Sequence, residues 1–179
     1  MSIVGTVAEV GSFEAFFREE HVAVVALCSW LTGDPAAGED LAQEAMATAH
    51  RRWDEVGAYE RPGAFVRRVA VNLASNERRR RARRDGALRR LRAVPERQEP
   101  GPHAEHDELW AEVASLPLQQ RAAIGLRYLE DRSTAEIAEA LGCAEATVRV
   151  HLHRAHRQLA ERLGRTTDAT NADPEEETA

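Results

Sequence analysis

"DRSTAEIAEALGCAEATVRVHLHRAHRQLAERLG", residues 131–164, settles the architecture of the C-terminal half. Ser133 followed by Glu136 three residues later has the form of a capping box, a signature of a helix start. Ile137, Ala138 and Leu141 then face inward at helical spacing, and Gly142 supplies the left-handed residue that ends the helix. After a tight turn, Val148, Leu152, Ala155, Leu159 and Leu163 mark the apolar stripe of a longer helix. A short helix, a glycine turn and a second helix make a helix-turn-helix. The second helix points Arg149, Val150, His153, Arg154 and Arg157 away from its stripe. From Ala146 to Arg165 it holds five arginines and one acid, the charge a recognition helix needs in a major groove.

Outward from this motif the pattern stays helical. Residues 107–115 predict one helix, and Pro117 opens another that runs to about Glu130. Near the N-terminus, Ser12 caps a helix on which Phe13, Phe16, Phe17, Val24, Leu27, Cys28 and Leu31 recur, and "TGDP", residues 32–35, stops it. A second helix repeats Leu41, Ala45, Ala49 and Trp53 every four residues. Pro62 starts a third, with Phe65, Val66, Val69 and Leu73 on its buried stripe. That helix continues through "NERRRRARRD", residues 76–85, because arginine is a good helix former. "VPERQEPGPHAEH", residues 94–106, has three prolines and no apolar period and reads as a flexible linker. The stretch 166–179 has five acids and no base and is expected to be disordered.

The expected fold class is therefore all-α, as two small helical domains joined by a tether. Only 5% of residues are aromatic and 30% are charged, a balance that suits helices better than a β-sandwich. No apolar run approaches a membrane span and the N-terminus lacks a signal-peptide pattern, so a soluble, cytoplasmic protein is expected. Cys28 and Cys143 lie far apart in apolar contexts and read as reduced thiols. His151, His153 and His156 crowd one helix, but no carboxylate or cysteine completes a metal-ligand set, so no cofactor is expected.

Net charge is informative only once divided. Residues 1–60 carry −8, residues 61–92 carry +10 and residues 93–179 carry −8, and every basic residue is arginine. The chain as a whole stands at −6, yet the middle segment concentrates an anion-binding surface. No nucleophile–base pair, phosphate loop or ligand set supports an enzyme.

The chain resembles the extracytoplasmic-function sigma factors, the smallest class of the sigma-70 family of bacterial RNA polymerase specificity subunits. "LTGDPAAGEDLAQEAMATAHRRW" is similar to that family's polymerase-binding helices, and "ERPGAFVRRVAVNLASNERRRR" to its helix reading the minus-ten element. "LPLQQRAAIGLRYLEDRSTAEIAEALGCAEATVRVHLHRA" is similar to its domain for the minus-thirty-five element. The resemblance implies an N-terminal tail over 1–11, sigma region 2 over 12–85, a linker over 86–106, sigma region 4 over 107–165 and an acidic tail over 166–179.

The resemblance also implies residue roles. Asp40, Leu41, Gln43 and Glu44 match its "D-L-x-Q-E" surface for core RNA polymerase, and an acidic face suits a basic partner. Arg68, Asn72, Asn76, Arg79, Arg80 and Arg83 would serve the minus-ten element of promoter DNA. Asn72 and Asn76 would lie near a flipped base, with the loop from about Trp53 to Arg61 closing its pocket. Thr147, Arg149, Val150, His151, His153, Arg154 and Arg157 would serve the minus-thirty-five element. An anti-sigma partner is compatible with the resemblance. Ala144 stands where the family often has a serine cap, and Val150 and His151 replace a hydroxyl and an arginine. The competing class is a stand-alone helix-turn-helix transcriptional regulator, which would need no polymerase-binding surface.

Overall fold

The computed structural model describes residues 12–91 and 107–170, and among them every regular element is a helix. The elements are α1 (Phe13–Thr32), α2 (Pro35–Arg51), α3 (Trp53–Val56), α4 (Pro62–Leu91), α5 (Asp107–Ser115), α6 (Leu118–Tyr128), α7 (Thr134–Leu141) and α8 (Glu145–Thr170). Residues 1–11, the linker stretch 92–106 and the tail 171–179 lie outside the described residues.

Local chemistry explains most boundaries. The Ser12 side chain accepts from Ala15 N–H, and Gly33 ends α1 at φ 72°. Asp34 caps α2 by accepting from Ala36 and Ala37 N–H, with Pro35 in the first turn. At α7 the capping box is complete, and Gly142 stops the helix at φ 65°. Two boundaries differ from the sequence expectation. Helix α4 runs to Leu91 and α8 to Thr170, into stretches expected to be linker and tail. Both extensions are rich in good helix formers or follow directly from a packed helix, so nothing local stops them.

Trp53 does not extend α2. That helix ends at Arg51, and Trp53 starts the short α3, with its ring against Phe13 and Phe16 at centroid distances of 5.3 and 4.8 Å.

The helices group as α1–α4 and α5–α8, matching the two expected domains, yet the halves share one core. Val24, Leu27, Met46, Val66 and Val71 from the first half join Ala122, Leu126, Ile137 and Val148 from the second in a single apolar cluster. Each large side chain so buried contributes about 1.5–3 kcal/mol. Helix α4 packs on α1 and α2 and also on α7, and α6 packs on α1. This second neighbour shifts the buried stripe of α4. Val66, Arg67, Ala70, Val71 and Ala74 are its buried positions, while Phe65, Val69 and Leu73 are half-buried at the core margin.

Candidate nucleic-acid interface

Helix α4 presents Arg68, Asn72, Asn76, Arg79, Arg80 and Arg83 as exposed side chains. Spacings of three and four residues place most of them along one side of the helix. Among the described residues, Arg79, Arg80 and Arg83 make no ion pair, which leaves their charge for an anionic partner. The rest of the arginine run is partly engaged: Arg81 pairs with Glu77 at 3.1 Å, and Arg78 donates to the Leu116 carbonyl at 3.3 Å. Asparagine amides carry both donors and acceptors, so Asn72 and Asn76 have the chemistry to read a base edge, whereas arginine grips phosphate.

The turn before α4 is braced. Tyr59 Oη donates to Glu55 Oε1 at 2.6 Å, and Arg52 pairs with Glu55 at 2.8 Å. The Tyr59 hydrogen bond, followed by Arg52, holds the Glu55 carboxyl below its ordinary range. Phe65 sits half-buried under the Arg52 guanidinium at 5.1 Å, edge-on to Tyr59. These contacts brace the turn that leads into the asparagine-bearing helix.

Helix α2 supplies the acidic face. Asp40, Gln43 and Glu44 are exposed, whereas Leu41 is buried in the core and holds the helix from within. Asp40, Glu44, Asn76 and Arg80 line one groove of about 300 Å³ between α2 and α4. The acidic and basic surfaces therefore adjoin.

On α8, Thr147, Arg149, Val150, His153, Arg154 and Arg157 are exposed. Val148 and Ala155 are fully buried and fix the rotation of the helix. Arg149 and Arg157 make only loose, exposed ion pairs, with Glu145 at 3.4 Å and Glu161 at 3.7 Å. Such pairs are readily exchanged for a stronger anion. His151 differs from its neighbours: it is half-buried, and burial, followed by the Arg154 charge, lowers its pKa. Further along, α8 is tied to the end of α6 by Tyr128 Oη and His156 Nε2 at 2.8 Å. Ala144 offers α8 no side-chain cap, and its carbonyl accepts from Thr147 and Val148 N–H.

Sequence reasoning missed the residues that join the halves. Arg67 is 2% exposed; its Nε donates to Glu130 Oε2 at 2.5 Å, and its Nη1 pairs with Glu20 at 2.7 Å and reaches the Gly63 carbonyl at 3.0 Å. Burial alone would weaken the Arg67 charge, but Glu130 and Glu20 outweigh it and raise its pKa. Arg132 stands behind Glu130 at 3.3 Å. Arg121 donates to the carbonyls of Leu31, Ala114 and Leu116, and Trp30 Nε1 donates back to the Arg121 carbonyl at 2.9 Å. Among the described residues no carboxylate pairs with it, and burial and then Arg78 bring the Arg121 pKa down to about 10. A signal for Arg67 was present: with Ala70, Val71 and Ala74 it completes a helical stripe in which one member is charged.

Comparison with known proteins follows the same division. Residues 16–84 match the family model "Sigma-70 region 2", and residues 106–159 match "Sigma-70, region 4". The RNA polymerase sigma-E factor of Streptomyces coelicolor is 32% identical, over 94% of this chain and 96% of its own. The ECF RNA polymerase sigma factor SigL of Mycobacterium tuberculosis is 36% identical, over 85% of this chain and 89% of its own. Among solved structures, the sigma factor RpoE of Bartonella quintana, in complex with the anti-sigma factor NepR, aligns with TM-score 0.66 and 23% identity. That alignment covers 85% of this chain and 96% of that one.

Proposed function

Because the chain belongs to the sigma-70 family of RNA polymerase sigma factors, in its extracytoplasmic-function class, we propose a division of promoter reading between its two cationic helices. A sigma factor binds core RNA polymerase and directs it to promoters, adding no catalysis of its own. In this reading α4 serves the minus-ten element and α8 the minus-thirty-five element. Asn72 and Asn76 read a base flipped from the non-template strand beside the Trp53–Arg61 loop, and Arg79, Arg80 and Arg83 hold phosphates. Flipping costs a few kcal/mol of unstacking, which interactions in the pocket must offset. On α8, Arg149 and Arg154 approach base edges, and Val150 offers an apolar surface for a thymine methyl. Thr147, His153 and Arg157 flank them. Half-buried His151 supports the helix from its margin.

Asp40, Gln43 and Glu44 dock on a basic surface of core polymerase, with Leu41 positioning them from beneath. The region 2 boundaries 12–85 and region 4 boundaries 107–165 go with this reading, as does a cytoplasmic location. No helix of the described residues is long and apolar enough to cross a membrane. RpoE of Bartonella quintana was solved with an anti-sigma factor, and the same kind of partner is proposed here.

The observation that carries the reading is the adjacency, in one groove, of exposed acids on α2 with Asn76 and Arg80 on α4. A stand-alone regulator has no use for that first half. The experiment is co-purification with core polymerase, followed by transcription from a pool of random promoters. Asp40→Arg combined with Glu44→Arg should abolish association while helicity by circular dichroism stays unchanged. Normal assembly and transcription by the double variant would remove the docking assignment.

A further inference from the structure

Helix α4 carries amides and arginines suited to a nucleic acid, but no exposed aromatic ring. Its one aromatic residue, Phe65, is half-buried against the core, with the Arg52 guanidinium over its ring at 5.1 Å. A strand that leaves a duplex loses the stacking of its bases, and an aromatic side chain restores part of it at each base it covers. The Trp53–Arg61 loop brings two more rings to this end of the helix. Trp53 packs against Phe13 and Phe16. Tyr59 instead faces outward: it is 40% exposed, and its ring stands edge-on to Phe65 at 6.0 Å between centroids.

Helix geometry relates this ring to the asparagines. Phe65 precedes Asn72 by seven residues, which is about two turns, so the two lie on nearly one face and about 10 Å apart along the axis. Arg79, Arg80 and Arg83 lie in the opposite direction along α4, beyond Asn76. Stacked nucleotides of one strand are spaced at about 3.4 Å, so 10 Å holds about three of them, and fewer where a flipped base has stretched the strand. The Tyr59 ring therefore stands within a few nucleotides of a base at Asn72, on the side away from the arginines.

The ring is also held in one direction. Tyr59 Oη donates to Glu55 Oε1 at 2.6 Å, a short charge-assisted bond, and Arg52 grips the same carboxylate through Nε at 3.2 Å and Nη2 at 2.8 Å. Fully buried Val56 anchors the turn from beneath, and Tyr59 N–H donates to the Val56 carbonyl at 3.0 Å. An exposed ion pair such as Arg52–Glu55 adds little stability. What the trio provides is a fixed direction for an exposed ring, which lowers the cost of ordering it on binding, and a carboxylate already paired before a phosphate comes near. We infer that Tyr59 is a stacking platform for a second unpaired base of the non-template strand. This rests on the proposed minus-ten role of α4, and it adds to the base read by Asn72 a neighbour held by its face alone. Every base has a π-face, so this contact strengthens binding without selecting among sequences.

The test uses holoenzyme assembled from core polymerase and the full chain, with a single-stranded non-template oligonucleotide carrying the selected minus-ten sequence. 2-Aminopurine, whose fluorescence falls when it stacks, replaces one base at a time on each side of the base assigned to Asn72. With the wild-type chain, quenching on binding should appear at a position on the side away from the arginines. Tyr59→Phe and Tyr59→Leu both lose the Oη hydrogen bond and differ in keeping a ring. Tyr59→Phe should retain the quenching, with the smaller loss of affinity. Tyr59→Leu should lose the quenching and about 5- to 150-fold in affinity, the range of one base–aromatic stack, by a similar factor whichever base stands there. Asn72→Ala should leave the quenching in place while flattening discrimination at its own position. Equal losses in the two Tyr59 variants would mean that the side chain only braces the loop and would overturn the platform, as would quenching that persists in Tyr59→Leu. Absence of transcription by wild-type holoenzyme would instead remove the minus-ten reading, and the platform with it.

Discussion

In the proposed reading Asn72 and the unpaired arginines of α4 do different work, although they are neighbours on one helix. A group that reads a base changes the ratio between promoters, because a mismatched base never makes its hydrogen bonds. A group that clamps phosphate releases counterions whatever the sequence. Asn72→Ala should therefore weaken the preferred promoter most and flatten discrimination at one position. Replacing Arg79, Arg80 or Arg83 by glutamine should weaken all promoters alike and reduce the salt slope by about 0.7–0.9 for each phosphate no longer neutralised. Open-complex formation on a set of minus-ten variants at several salt concentrations measures both. An altered ranking in the arginine variants, or a uniform loss with Asn72→Ala, would reverse the assignment. At this scale the sequence is a good guide to side chains facing water and a poor one to buried charge. The exposure of Asn72 and Asn76 follows from helical spacing. The burial of Arg67 and Arg121 does not, since their partners Glu130 and Leu31 lie far along the chain and no local pattern announces them.

Helix ends are the most legible elements. Ser133 with Glu136, Gly142, Pro62 and Ser12 each act within a few residues, so their chemistry is written locally. Glu136 shows the strength of this chemistry: hydrogen bonds from Ser133 bring the pKa of its carboxyl down to about 2. The apolar period of α4 points one position away from its buried stripe, because a helix covered on two sides has no single apolar face. The two left-handed glycines make a direct test of what surrounds an element. Gly33 (φ 72°) has open space where a Cβ would go, whereas Gly142 (φ 65°) has the Arg68 guanidinium there. Gly33→Ala should lose only the backbone strain, about 1–2 kcal/mol. Gly142→Ala meets the same strain, and the exposed Arg68 guanidinium can swing aside, so its loss should be similar. Urea unfolding of the two variants compares them, and a clearly larger loss at Gly142 would mean that Arg68 is held in place.

At the scale of the molecule, the expectation of two domains on a tether describes the parts and misses their union. Family boundaries and helix patterns mark each half, but the shared core depends on Leu27, Trp30, Gly125 and Ile137 meeting across long sequence separations. One consequence is cooperative unfolding. Arg121 satisfies carbonyls at the ends of α1 and α5 and just beyond α5, so Arg121→Met leaves three acceptors without their donor and should cost about 2–4 kcal/mol. The wild-type chain should unfold in a single transition by both circular dichroism and tryptophan fluorescence, and Arg121→Met should split it into two. Coincident transitions in the variant would show that the apolar core alone couples the halves.

The same arginine carries a message about birth order. Leu31 is 90 positions upstream of the guanidinium that donates to its carbonyl, and Arg67 is 63 upstream of Glu130. At about 5–20 residues per second on the ribosome, Leu31 waits roughly 5–18 s for its donor, and Arg67 roughly 3–13 s for its carboxylate. The N-terminal half thus emerges with Trp30 and Leu27 uncovered and its acidic α2 face already complete. For those seconds the apolar face of the first half meets water, because the helices that cover it have yet to leave the ribosome.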